Sequence, residues 1–227
     1  MKQTKSTKIV DKLSLLKIAS AKTGLDWSLE ADSRFVKFIK LIHEWNARTN
    51  LVSRLDESHL IDRHIMESIA VLSAVDIASG SKVVDVGSGG GFPALPVAFM
   101  REDITFVLVE SKRLKSLFLK EVVLALALKN VQVINERIEQ LDKLKQWNSF
   151  FNFCFSRAVA DVDIVYDWIK NILTQDGLYI AWKGGDVQNE IDTFHKRYPE
   201  IFLKRIEMDE RFVDKEKKRC FIVVLKK

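Results

Sequence analysis

The stretch VVDVGSGGGFPALP, residues 83–96, limits how this chain can fold more than any other. A short apolar run ends in Gly87, glycine recurs at 89, 90 and 91, and prolines follow at 93 and 96. Backbone without Cβ atoms can take positive φ and lets a ligand approach the main chain closely. Pro93 suits the first turn of a helix, where a missing N–H costs nothing, and Pro96 still falls within that turn. The pattern is a buried strand, a bare bend and a helix start. In a doubly wound sheet, ligands settle at such bends beyond the carboxyl ends of the strands.

The rest of the chain agrees with a sheet of that kind. From Lys82 onward, short β-branched or aromatic runs recur: KVVDVG, TFVLVE, VQVINE, FNFCFSRA and LYIAWKG. Helical stretches at 93–101, 111–129 and 159–173 separate the early ones. Strands alternating with helices imply a parallel sheet covered on both faces. IFLKRIEMDERF and KKRCFIVVLKK, joined by charged residues, read as an antiparallel hairpin at the end of that sheet. The expected fold is therefore α/β and Rossmann-like, mostly parallel, with a C-terminal antiparallel hairpin.

Residues 1–78 read as an N-terminal helical extension to a domain at 79–227, the two forming one unit. Phe35, Phe38, Ile39, Ile42 and Trp45 recur at helical spacing, as do Ile61, Ile65, Ser68, Ile69 and Leu72. Between them, Asn46 and Asn50 in WNARTNLVSRLD are expected to shape a turn. His64 reads as packed and hydrogen-bonded, with a place at the mouth of the site as the other reading.

With 47% apolar residues among 227, a sizeable core can be buried. Thirty-six Lys and Arg against 31 Asp and Glu leave +5, which allows a polyanionic partner without requiring one. Cys154 and Cys220 lie far apart among apolar residues and read as buried, reduced thiols. No metal-ligand spacing, Ser/His/Asp order or paired carboxylates stand out. The basic N-terminus is interrupted by Asp11, Lys12 and Lys17, so neither a signal peptide nor a membrane anchor is expected, and the location expected is cytoplasmic.

The ligand class follows from the loop and the next strand. A dinucleotide fingerprint asks for GxGxxG, and Ala94 at the third position is tolerated. Prolines at 93 and 96, however, crowd the helix start whose N–H groups would hold a pyrophosphate. A nucleoside without phosphates fits better, such as S-adenosylmethionine. TFVLVES ends in Glu110, about 20 residues beyond Gly87, where an acid is expected to hydrogen-bond a ribose diol. The plainer reading is that Glu110 caps the following helix.

DVGSGGGFPALPVA, LVESKRLKSLFLKEV, FSRAVAD and an aromatic strand ending in KGG occur in this order, preceded by EWNARTNLVS and RHIMESI. Together they resemble the ribosomal RNA small subunit methyltransferase G (GidB) family, from about Trp45 to the last strand. The resemblance implies transfer of methyl from S-adenosylmethionine to N7 of one guanine in 16S ribosomal RNA, on RNA or on the small subunit; a monomer is expected. It carries cofactor contacts onto Gly87, Phe92, Ile138 and Glu139, to which the loop and the strand end add Gly89 and Glu110. It places Arg157 beside cofactor and target base, as a cofactor contact and the catalytic candidate, and Arg137 and Arg219 toward the RNA, with Lys183 a further RNA candidate. Glu67 stands where aspartate is commoner. An ion pair with Asp161 or another carboxylate is the other reading of Arg157, and Trp182 reads as a buried aromatic or a base-stacking one.

RNA docking is expected on Lys112, Arg113, Lys115 and Lys120, with Leu114, Leu117, Phe118 and Val122 as that helix's apolar face. A second candidate is the run Lys215, Lys217, Lys218 and Arg219. Two other functions stay open: the same chemistry on another acceptor, and an RNA-binding assembly factor without turnover. A dinucleotide-dependent dehydrogenase is disfavoured by the prolines.

Overall fold

In a computed structural model the β-branched runs pair into one seven-stranded sheet. The structure describes residues 28–213 apart from Asp142, residues 218–226, and the isolated positions Ser14, Ala21 and Leu25. The strands are β1 (Lys82–Val86), β2 (Thr105–Val109), β3 (Val131–Ile134), β4 (Phe151–Arg157), β5 (Leu173–Gly184), β6 (Phe202–Glu207) and β7 (Arg219–Leu225). Their order is β3-β2-β1-β4-β5-β7-β6. The first five are parallel, and β7 pairs antiparallel with both β5 and β6. The expected hairpin is therefore present, with its second strand inserted next to β5. Strand order reverses between β1 and β4, so the ligand-binding crevice of such sheets lies beyond the ends of those two strands.

Register decides which side chains meet. Val83 pairs with Phe106 and Phe153, and Arg157 pairs with Trp182. Counting in twos puts Val83, Asp85, Phe155, Arg157, Trp182, Phe221 and Arg219 on one face. Val84, Val86, Cys154, Tyr179, Ala181 and Ile222 take the other, and each set joins a separate apolar cluster.

The first face is covered by helices α1 (Leu29–Asn46), α2 (Ala94–Met100) and α3 (Arg113–Ala125) and by the broken helical run 54–74. Ser28 starts α1 by accepting a hydrogen bond from the Ala31 amide at 3.1 Å. Its stripe of Phe35, Phe38, Ile39 and Ile42 is fully buried, with Phe38 edge-on to Phe99 of α2 and stacked on Phe118 of α3. Asn46 shapes the following turn as expected, its Oδ1 accepting from the amides of Leu51 and Val52. Asn50 is exposed. Residues Leu60–Ile65 form a π-helix, which continues into Met66–Ile69.

The second face is covered by α4 (Val162–Ile169) and α5 (Gln188–Arg197) and by the turn Ile138–Leu141. Both cysteines are free and buried.

Several expectations need correction. Helix α5 went unread because its decapeptide buries only Phe194 and is otherwise largely polar. The stretch 159–173 is helical only from Val162 to Ile169, and Leu173 already belongs to β5. In α3 the buried face is Ser116, Phe118, Leu119 and Val122, whereas Leu114 and Leu117 are 55% and 41% exposed. The helix meets the sheet one position further along than its leucines suggest. Most of residues 1–27 of the expected N-terminal extension, and Lys215 and Lys217, lie outside the described residues.

Candidate active site

The bend after β1 is built as its glycines require. Gly87, Gly89 and Gly91 have φ of 66°, 54° and 88°, while Gly90 keeps an ordinary φ, against expectation. At Gly87 an added Cβ would lie 3.0 Å from a Val159 methyl. At Gly91 it would overlap the Leu95 side chain, so this position tolerates nothing larger. Pro93 caps α2 and Pro96 sits in its first turn, where neither removes a needed donor.

Glu110 closes the bend from β2. It is buried; Oε2 accepts from the Gly89 amide at 2.8 Å and Oε1 from the Lys112 amide at 2.7 Å. Glu110 thus braces both the start of the following helix, as the capping reading expects, and the glycine loop, and each carboxylate oxygen keeps further lone pairs. Lys115 brings its Nζ beside Gly89 as well.

Around Gly87 lies a narrow cleft of about 140 Å³, lined by Val109, Ile138, Glu139, Arg137, Val159 and Trp168 among others. Ile138 and Glu139 are therefore brought to the glycine loop. Arg137, expected at the RNA, stands on the same rim with its side chain 73% exposed and 4.0 Å from Glu139. Phe92 is not brought to this cleft. Its ring is buried between Phe38 and His64 at centroid distances of 5.4 and 5.0 Å, inside the core that the N-terminal helices make.

Asp85, which sequence reading passed over, ends the first face of β1. It is 1% exposed, and among the described residues neither carboxylate oxygen has a hydrogen-bond partner. Burial pushes its carboxyl up to about 7 and the charge of Glu110 adds to the rise; the nearby Ser88 hydroxyl opposes it, although it donates to the Asp85 carbonyl at 3.1 Å and not to the carboxylate. A buried carboxylate without a donor is costly. An ionised Asp85 therefore suits a cationic ligand at the glycine loop. Its DVG context, an acid two residues before the first loop glycine, was the available signal.

A second cavity of about 280 Å³ lies on the other side of the 157–159 segment, since Ala158 lines it and Val159 lines the first. Arg157, Arg219, Lys183, Trp182, Gly184 and Glu67 contribute to it. Arg157 pairs not with Asp161 but with another carboxylate, Glu67, as the second half of that reading allows. One of its terminal nitrogens donates to the Arg63 carbonyl at 2.9 Å, contacts His64 Nδ1 at 2.7 Å and lies 3.3 Å from Glu67 Oε2. Arg219 Nε donates to Glu67 Oε1 at 3.1 Å, and Trp182 Nε1 donates to the Glu67 carbonyl at 2.8 Å. Trp182 is thus a buried aromatic that also walls the cavity.

His64 is packed, as expected. A guanidinium can only donate, so Nδ1 must accept and the proton belongs on Nε2, which has no partner among the described residues. Burial, with the charge of Arg157 adding to it, holds the imidazole down at about 3, so it stays neutral. Lys183 faces the opposite side of β5, where it pairs with Glu190 of α5 at 2.5 Å and donates to the Ala160 carbonyl. Glu190 also accepts from the Val162 amide, fixing the start of α4.

Comparison with known proteins agrees with this arrangement. The sequence pattern of rRNA small subunit methyltransferase G (GidB) matches residues 31–219. A protein named ribosomal RNA small subunit methyltransferase G from Clostridium perfringens (strain SM101 / Type A) is 33% identical over 178 residues, 78% of this chain and 74% of that protein. One of the same name from Christiangramia forsetii is 34% identical over 191 residues, 82% and 87% of the two chains. Among solved structures, a SAM-dependent methyltransferase from Aquifex aeolicus superposes with a TM-score of 0.54 at 17% identity, covering 76% of this chain and 94% of that one. Precorrin-6y C5,15-methyltransferase from Geobacter metallireducens gives 0.52 at 13% identity, over 79% and 92%. At those identities the two structures speak for the fold, which is the Rossmann-like fold that the strand order describes. The sequence match spans α1 through β7, and the chain belongs to the rRNA small subunit methyltransferase G family.

Proposed function

We propose that this protein transfers a methyl group from S-adenosylmethionine to N7 of one guanine in 16S ribosomal RNA of the small subunit, acting as a monomer in the cytoplasm. The observation that carries the reading is the pairing of two features at the ends of the neighbouring strands β1 and β4. The glycine bend with the orphaned Asp85 suits a cationic nucleoside, and Arg157 is held rigidly beside it. Among the described residues no helix is long and apolar enough to cross a membrane.

Gly87, Gly89, Ile138 and Glu139 would hold the cofactor, with Glu110 at its ribose and Asp85 near its positive charge. Phe92 contributes by wedging the loop against Phe38 rather than by its ring touching the ligand. When bound, the sulfonium supplies an electrophilic methyl carbon. Guanine N7 offers an in-plane lone pair and carries no proton, so the acceptor needs no general base. The neutral, engaged His64 fits that requirement, because it has no free acceptor nitrogen. What remains for the chain's residues is alignment, and proximity alone supplies much of such a rate.

Arginine commonly grips guanine through O6 and N7 together. That grip would occupy the lone pair that must react. Arg157 therefore orients the base through O6 or a phosphate and leaves N7 free. Lys112, Arg113, Lys120 and Lys218 are exposed and suit RNA phosphates. The test is to delete the gene in its host and map ribosomal RNA methylation. Loss of one N7-methylguanosine from 16S ribosomal RNA, restored by the wild-type gene, is the expected result; an unchanged methylation map refutes the proposal.

A further inference from the structure

We propose that Glu67 is a positioning residue: it holds Arg157 and Arg219 as one preset pair in the wall of the acceptor cavity. The inference rests on the functional reading above and assigns to that site a residue which touches neither cofactor nor reacting atoms. Three segments far apart in the chain converge here. Glu67 descends from the helical run over the first sheet face, Arg157 ends β4, and Arg219 begins β7. The Glu67 side chain is 5% exposed and divides its two oxygens, Oε2 toward Arg157 and Oε1 toward Arg219. Its own backbone is fixed, since its carbonyl accepts from Trp182 Nε1.

Two guanidiniums in one cavity repel each other, and a buried carboxylate alone would be unstable. The triad settles both problems and leaves one net positive charge toward the cavity. Each arginine has an independent brace. Arg157 donates to the Arg63 carbonyl, in the π-helix just before Glu67. Arg219 lies across the face of Gly184, its partner in the β5–β7 register, and a Cβ on Gly184 would overlap its guanidinium. The second glycine-bearing motif of the chain, KGG, thus has a reason of its own: Gly184 makes room for the arginine that Glu67 positions. Arg219 meets Glu67 through Nε, which leaves its terminal fork outside that bond.

The experiment compares full-length wild type, Glu67→Gln, Glu67→Asp and Gly184→Ala. Acceptor is small-subunit RNA or subunits from the deletion strain, with radiolabelled S-adenosylmethionine as donor. Misplacing a positioned group costs about 100-fold. Glu67→Gln should lower kcat by about that factor while Kd for the donor stays unchanged. Glu67→Asp should recover part of the loss, and Gly184→Ala should reproduce it from the other side. Wild-type kcat in Glu67→Gln, or a donor Kd that weakens in step with kcat, overturns the proposal. Should Glu67→Gln fail to fold, Gly184→Ala decides alone, and a wild-type rate there overturns it. A readout free of activity is the ¹H–¹⁵N spectrum of the arginine side chains. The Nη–H signals of Arg157 and the Nε–H signal of Arg219 should be sharp and slowly exchanging in wild type and lost in Glu67→Gln; their persistence contradicts the positioning role. If wild type methylates no ribosomal RNA, the functional reading fails while this spectrum still judges the triad.

Discussion

The two cavities on either side of the 157–159 segment are made in different ways. The glycine bend that borders the Gly87 cleft is set by main chain: three left-handed glycines, and two backbone amides gathered by Glu110. The cavity at Arg157 is built from side chains of three distant segments, held by one buried carboxylate. A site of the first kind binds by shape, and adding a methyl group damages it. One of the second kind works by orientation, and changing a charge or a fork damages it.

Arg157→Lys tests that contrast most severely. A lysine ammonium keeps the charge but cannot serve the Arg63 carbonyl, His64 and Glu67 with a fixed planar fork. We expect kcat to fall about 100- to 1,000-fold, some 3–4 kcal/mol at the transition state, with donor affinity unchanged. A wild-type rate would remove the geometric role of the arginine.

In the glycine bend the matching change is Gly91→Ala. Positive φ and overlap with Leu95 should cost about 2–3 kcal/mol of stability, read as a lower urea midpoint. Gly87→Ala shares the positive φ, about 1–2 kcal/mol, but meets a movable Val159 methyl, so its stability loss should be the smaller and be joined by a loss of donor affinity. Equal stability losses at the two glycines would show that the bend is not constrained as described.

A smaller effect separates the cavities by pH. With Asp85 at about 7, a cationic donor must displace its proton below that value. Donor affinity should therefore rise with pH by up to about tenfold per unit below 7 and level off above. Asp85→Asn should bind weakly and without that slope; a pH-independent wild type would contradict the role of Asp85. Stability carries the same groups with opposite signs. The folded pKa of Asp85 is raised, so its contribution is present at low pH and lost as pH rises from 3.8 through about 7. That of His64 is lowered to about 3, so its contribution is lost as pH falls from 6.5 toward 3. The two oppose each other between 3.8 and 6.5, at up to about 1.4 kcal/mol per pH unit each. Asp85→Asn should unmask an acid lability that the wild type lacks, measured by thermal unfolding across that range.

How far sequence reading reached follows the same division. Gly87, Glu110 and the β-branched strands announce themselves because their causes are local: a backbone angle, a strand end, a period of two. Arg157 and Arg219 were identified through resemblance, but their shared partner was not, because Glu67 and Arg219 stand 152 residues apart and meet only once the sheet has folded. Asp161 was the nearer carboxylate in sequence and the wrong one, since strand register points Arg157 to the opposite face from α4. Leu114 and Leu117 misled for a related reason, because helix spacing gives a face but not which neighbour it meets. The partner of Lys183, Glu190, lies on α5, a mostly polar helix that buries only Phe194 and so gives little sign of itself in the sequence.

The central claim is that the Gly87 bend and Asp85 form a site for a cationic nucleoside rather than a dinucleotide. Isothermal titration of the full chain at pH 8 tests it most directly. S-adenosylmethionine should bind with a measurable heat that Asp85→Asn diminishes, while a nicotinamide dinucleotide gives none. No heat with S-adenosylmethionine, together with saturable binding of the dinucleotide, would contradict it.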